Sequence, residues 1–212
     1  MKKLIVAIDG VSASGKGVLA KRIAEHYNCS FLPTGNLYRI VAIEVINKNI
    51  DYHDKDNVSK ILNMSLKDLK DANLHNDEIS DMASRISSIS VVREALNEFQ
   101  REWIAKHKVA VIEGRDIGTV ICPEADVKIF LTADLKVRSK RREKDLINLG
   151  LKISYEDVYK ELKNRDFRDS SRANAPLKKA EDAQILDSTN LTIDQTVEKA
   201  VEIIEKKIDN HV

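Results

Sequence analysis

Short unbroken apolar runs alternate along this chain with stretches whose apolar residues recur every three to four positions. Runs at residues 4–8, 109–112, 127–131 and 184–186 predict strands buried on both faces, and a less apolar segment at 30–32 predicts a shorter one. The intervening stretches predict helices at 91–107, 135–149 and 155–165. A last helix opens with a capping box from Thr192 to Gln195. Strands alternating with helices imply an α/β fold, a parallel sheet covered by helices on both faces.

Two regions break the alternation. Residues 47–82 are rich in Asp, Asn and Lys and hold no strand-like run, which predicts a small mobile lobe set into the core. Residues 138–172 keep helical spacing with few large apolar residues, which suits a flap that closes over a ligand. The expectation is one domain over 1–212, with an inserted lobe at about 47–82 and a lid at about 138–172.

Composition narrows the function mainly by exclusion. Lys and Arg total 35 against 34 Asp and Glu, so no overall charge draws the chain to nucleic acid or to an anionic membrane. The first apolar run stops at Asp9, too short for a signal segment or a membrane span. Cys29 and Cys122 lie far apart without metal or redox spacing, which predicts packing residues in a reducing, cytoplasmic setting. The five histidines form no metal motif and are expected at the surface.

The chemistry begins where that first strand ends. Gly10, Val11, Ser12, Ala13, Ser14, Gly15 and Lys16 form a glycine-bounded loop between a strand and a helix whose apolar side is Val18, Leu19, Ile23 and Ala24. Such a loop aims backbone N–H groups and a helix N-terminus at a polyphosphate, while the lysine bridges the outer phosphates. Gly17 replaces the Ser or Thr whose hydroxyl meets magnesium in the general pattern, so the loop is expected to be a special subtype.

Arginines beside polar or acidic residues at element ends come next: Tyr38–Arg39, the run Glu113 to Asp116, and the run Arg165 to Arg172. A guanidinium fork grips phosphate through two hydrogen bonds, so a second, phosphorylated substrate is implied. Arg115 and Asp116 follow a predicted parallel strand directly, at the edge where open α/β sheets bind ligands. As neighbours they also fit a surface ion pair of little consequence. Arg138, Arg141 and Arg142 share one predicted helix face, which fits a phosphate clamp, a solvated face or loose contact with RNA.

Together these segments resemble the bacterial cytidylate kinase family along nearly the whole chain. The resemblance rests on GKG at 15–17, TGNLYR at 34–39, VREAL at 92–96, EGRDIGTV at 113–120, VKIFLTA at 127–133, RDFRDSSR at 165–172 and APL at 175–177. It implies a P-loop kinase core with a short inserted monophosphate-binding lobe and a lid. The implied reaction is ATP-dependent phosphorylation of CMP and dCMP, with Mg2+ accompanying ATP, no metal ligand from the protein, and a monomer.

By that resemblance the loop from Gly10 to Val18 holds ATP, and Lys16, Arg115, Arg138 and Arg142 stabilise the moving phosphoryl group. Arg39, Arg115 and Arg172 would hold the CMP phosphate with Thr34 and Tyr38, while Arg165 and Asp169 would lie at the sugar. Ser84, Arg93 and Asp116 would read cytosine. The chemistry of the base agrees: its N4 amino group suits the Asp116 carboxylate, and its O2 and N3 acceptors suit Arg93 and Ser84. No general base is needed, because the attacking phosphate oxygen is already anionic.

Three positions depart from the family's usual residues: Val18 stands for Thr, Pro33 for Asp and Ala13 for Gly. Val18 keeps a backbone N–H and lacks a hydroxyl, which predicts weaker handling of ATP or magnesium. The competing readings are a related kinase for UMP or AMP and a nucleotide-binding protein that has lost catalysis.

Overall fold

The predicted strands at 4–8, 109–112 and 127–131 are largely buried, as their apolar runs require, whereas the one at 184–186 lies at the sheet edge with Gln184 and Ile185 exposed and only Leu186 buried. A computed structural model describes residues 3–48, 50–65 and 77–209. The strands are β1 (Leu4–Gly10), β2 (Ser30–Pro33), β3 (Val109–Gly114), β4 (Val127–Thr132) and β5 (Gln184–Asp187). The helices are α1 (Lys16–His26), α2 (Thr34–Lys48), α3 (Lys55–Ser65), α4 (Asp77–Ile86), α5 (Ser90–Ala105), α6 (Leu135–Asn148), α7 (Tyr155–Ser171) and α8 (Ile193–Asp209). A single π-helical turn, Ile117–Ile121, follows β3.

The sheet runs β2-β3-β1-β4-β5, with β1 parallel to both β3 and β4, and β4 parallel to β5. The central strand explains its own sequence: Ile5, Val6, Ala7 and Ile8 are all fully buried, so no position can alternate to polar. On one face, Leu19, Ala20, Ile23 and Ala24 of α1 and Ala200 and Ile204 of α8 pack with Val6, Ile8, Val111, Val127, Ile129 and Leu131. The α8 start has the expected capping box, with Thr192 N–H donating to Gln195 Oε1 at 3.0 Å and Gln195 N–H to Thr192 Oγ1 at 3.2 Å.

The chain divides into two compact units, one made of Met1–Leu32 with Lys108–Val212 and the other of Pro33–His107. The second unit is helical. Its core draws Leu37, Ile40, Val41 and Val45 from α2, Val58 and Ile61 from α3, Ile79, Ala83 and Ile86 from α4, and Val92, Ala95 and Leu96 from α5. Residues 66–76, in the middle of the expected lobe at 47–82, lie outside the described residues, as do His75 and His211.

Several local expectations change. Residues 34–48 form a helix that no clear periodicity announced, because α2 is apolar on most of its surface, and Tyr38 and Arg39 therefore stand in its second turn. Helix α7 continues six residues past the predicted Arg165, through Ser171, which puts Asp166 and Asp169 one turn apart on one face. The stretch at 138–172 has an apolar core of its own in Leu146, Val158 and Leu162. His107 is half-buried, its ring stacked on Trp103. Cys29 and Cys122 are free thiols, Cys122 fully buried.

Candidate active site

β1 delivers the chain to the phosphate loop at Gly10, where a side chain is sterically impossible: a Cβ would sit 1.9 Å from the Leu131 carbonyl oxygen of β4. Gly15 closes the loop in the left-handed region, at φ 87°, and Lys16 opens α1. Between them Ala13 also takes a left-handed φ, 54°. That conformation costs a non-glycine residue about 1 kcal/mol, a physical reason for glycine to be usual there. Its methyl group packs against the apolar cluster of Leu146, Val158 and Leu162.

Lys16 is buried, and its ammonium folds back onto the loop, donating to Val11 O at 2.8 Å. Burial lowers its pKa to about 7, and the positive Arg115 and Arg165 add to the effect while Glu113 and Asp169 oppose it. An anion on the loop would restore the ordinary value.

Ser12 joins three chains of contact. Its N–H donates to Asp166 Oδ1 at 3.0 Å, its hydroxyl oxygen accepts from Arg115 Nη2 at 3.1 Å, and its carbonyl oxygen accepts from Arg138 Nη1 at 2.9 Å. Arg115 also donates through Nε to Asp169 at 2.9 Å. Burial works against the Arg115 charge, yet Asp169 outweighs it and raises the pKa further. Burial likewise opposes ionisation of Asp169, and Arg115, Arg165 and Arg172 overcome it, holding that carboxyl below its usual range.

Asp116 and Arg115 thus do not pair with each other. Asp116 is buried and lies 3.7 Å from Arg172, whose Nε donates to Ala175 O at 2.7 Å. The shared face expected for three lid arginines is also divided. Arg138 is buried against the loop, whereas Arg141 Nη2 donates to Ser188 O at 2.8 Å and sits near Thr189 O and Leu191 O, tying α6 to the turn before α8. Arg142 is half-buried, and Lys136, Lys140 and Lys144 face solvent.

In the helical unit, Arg93 of α5 is buried and reaches Tyr38 Oη at 3.3 Å and Ser87 O at 3.2 Å. Arg39 donates to Asn36 Oδ1 at 3.1 Å, and Thr34 is buried at the start of α2. Ser84 Oγ is buried with no hydrogen-bond partner among the described residues. Val18, by contrast, is 55% exposed on α1.

Two acids escaped the sequence reading. Asp9 is buried and accepts from Ile117 N–H at 2.8 Å and Gly118 N–H at 2.7 Å, bracing the end of β1 against the turn after Asp116. Burial raises its pKa to about 6 against the pull of those two N–H groups. A lone acid closing an apolar run was the signal for it. Asp166 had none, since it lies unremarked between Arg165 and Asp169 in a run of charges.

Among the described residues, no cluster of three His, Cys, Asp or Glu could cage a metal ion, and no helix is long and apolar enough to cross a membrane. The sequence model of the family described as cytidylate kinase matches residues 6–206. A protein named cytidylate kinase from Methylocella silvestris is 42% identical over 208 residues, covering 98% of this chain and 96% of its own. Another from Afipia carboxidovorans is 45% identical over 204 residues, with 96% and 98% covered. Among solved structures, a gluconokinase from Sinorhizobium meliloti matches with a TM-score of 0.54 at 14% identity, covering 99% of this chain and 97% of its own. A shikimate kinase from Bacteroides thetaiotaomicron matches at 0.51 and 11%, covering 95% and 98%, and these two likenesses concern the fold alone.

Proposed function

The chain belongs to the cytidylate kinase family, and we propose that it moves the terminal phosphoryl group of ATP to CMP and dCMP, giving CDP and dCDP. The observation that best supports a working site is Arg115, whose guanidinium bridges Ser12 of the phosphate loop and Asp169 of α7. A guanidinium on that loop neutralises charge on both sides of a transferring phosphoryl group.

In this reading, Lys16 with Arg115, Arg138 and Arg142 meets the negative charge of the moving group, and the loop from Gly10 to Val18 holds the donor phosphates. Arg39, Arg115 and Arg172 hold the acceptor phosphate with Thr34 and Tyr38. Arg165 and Asp169 bind at the sugar, and Ser84, Arg93 and Asp116 select cytosine. The unit Pro33–His107, with the insert at about 47–82, takes the monophosphate, and the segment at about 138–172 acts as lid.

The donor set suits magnesium carried on the nucleotide. Gly17 offers no hydroxyl, and Mg2+ takes few protein oxygens, so Glu113 at the end of β3, whose charge acts on Lys16, is the carboxylate that would help hold it. The ion would neutralise phosphate charge, while this chain's own side chains align the two substrates. The protein is read as a cytoplasmic monomer that engages neither nucleic acid nor membrane.

The experiment is ADP release from ATP and magnesium with CMP, dCMP, UMP and AMP offered separately. Turnover with CMP and dCMP is expected, and UMP or AMP as the preferred acceptor would overturn the base assignment. Silence with all four, in protein that still binds ATP, would mean a binder without catalysis. Asp116→Asn should lower the preference for CMP over UMP by about tenfold to a hundredfold, because the carboxylate no longer distinguishes an amino group from a carbonyl.

A further inference from the structure

We propose that Asp166 is a positioning residue for phosphoryl transfer, holding Arg138 against the phosphate loop through Ser12. The inference rests on the kinase reading above and adds a residue to which that reading gives no role. Its two carboxylate oxygens have separate tasks. Oδ1 accepts the Ser12 N–H at 3.0 Å, and Oδ2 accepts from Arg138 Nη1 at 2.7 Å. Arg138 Nη1 donates in turn to Ser12 O at 2.9 Å, closing a ring of three residues from the loop, α6 and α7.

The ring leaves Arg138 little freedom. Its Nε is pinned to Ala133 O at 2.8 Å, so both the middle and the tip of the side chain are fixed. Nε and Nη1 are thereby committed, while the two N–H groups on Nη2 have no acceptor among the described residues. A guanidinium fixed on one edge and open on the other is set to meet an incoming phosphate oxygen. The Arg138 side chain is 6% exposed and that of Asp166 20%, so the pair is shielded from the solvent screening that weakens surface ion pairs.

The arrangement has a counterpart one turn along α7. Asp169 holds Arg115 as Asp166 holds Arg138, and both arginines close on Ser12, one at its hydroxyl and one at its carbonyl. One helix face thus sets two arginines relative to a single loop residue. The lid core of Leu146, Val158 and Leu162 packs against the adjacent Ala13, seating the same pair of helices on the loop.

Asp166→Asn separates the two tasks. The amide oxygen still accepts the Ser12 N–H, while the amide nitrogen faces Arg138 Nη1 donor to donor. The expected result is a kcat about tenfold to a hundredfold lower with KM for ATP within about threefold, the pattern of a contact realised in the transition state. Arg138→Met and the double variant Arg138→Met/Asp166→Asn should then have equal kcat, since Asp166 acts through Arg138. The double variant buries no orphaned guanidinium, so this comparison stands even if Asp166→Asn alone does not fold.

An unchanged kcat in Asp166→Asn, a further loss in the double variant, or a KM for ATP more than about threefold below that of the parent would each overturn the proposal. The last would mark Asp166 as a competitor for the phosphate site. Silence of the parent protein with CMP, dCMP, UMP and AMP alike would remove the kinase reading, whereas equal turnover by parent and Asp166→Asn removes only the positioning role.

Discussion

The parallel-sheet unit and the helical unit Pro33–His107 hold their candidate groups differently. In the sheet unit two arginines are already committed, Arg115 to Ser12 and Asp169 and Arg138 to Ser12 and Asp166. In the helical unit Ser84 keeps a buried hydroxyl with no partner among the described residues. The first arrangement is prepared for charge, because phosphate oxygens demand fixed donors before they arrive. The second leaves a polar group unsatisfied, which is costly in the folded protein unless a ligand completes it.

The largest effect should come from breaking the prepared side. Arg115→Lys keeps the charge, but one ammonium cannot span Ser12 and Asp169 as the planar fork does. We expect kcat/KM for CMP to fall by about a hundredfold or more, measured by steady-state kinetics. A loss under about threefold would mean that the preformed geometry is not what matters.

Next is the charge on Lys16. Its pKa of about 7, lowered by burial, means the side chain is largely neutral above that pH, and bound ATP should raise it. Binding above pH 7 should therefore take up close to one proton, and below pH 6 almost none. Calorimetry in buffers of different ionisation heat measures this directly. The apparent ATP affinity should fall by up to about tenfold per unit between pH 7 and 9.

The helical unit gives a smaller and differently shaped response. Ser84→Ala removes an unsatisfied buried hydroxyl, so thermal stability should hold or rise by up to about 1 kcal/mol. The KM for CMP should nonetheless rise by about threefold to tenfold if the hydroxyl serves the base. Lower stability together with an unchanged KM would erase the contrast between the units. Smallest is Val18→Thr: on a side chain 55% exposed, the added hydroxyl should lower KM for ATP by less than about threefold.

Much of this could be read from the chain. Continuous apolar runs revealed the buried strands, the glycines of the loop carried its turn, and Thr192 with Gln195 announced α8 before its partners were known. Helix α2 was hidden because burial on several sides erases the amphipathic period. The reach of α7 was hidden because charged residues carry no packing signal, and with it went the pairing of Asp166 and Asp169 on one face. The lid arginines were foreseen as a single face and came apart because Arg138 and Arg141 find acceptors in different loops.

Local order in the sequence therefore determined the strand–loop–helix that receives phosphate, the family, and the residue types able to grip two charged substrates. Backbone steric limits and hydrophobic periodicity act over a few residues, so a few residues suffice to read them. Which carboxylate holds which arginine was decided only in three dimensions. Ser12 meets Asp166 across 154 positions of chain and Arg115 across 103, and Asp9 meets Gly118 across 109. Hydrogen bonds act over about 3 Å whatever the separation in sequence, so their pairing belongs to the fold.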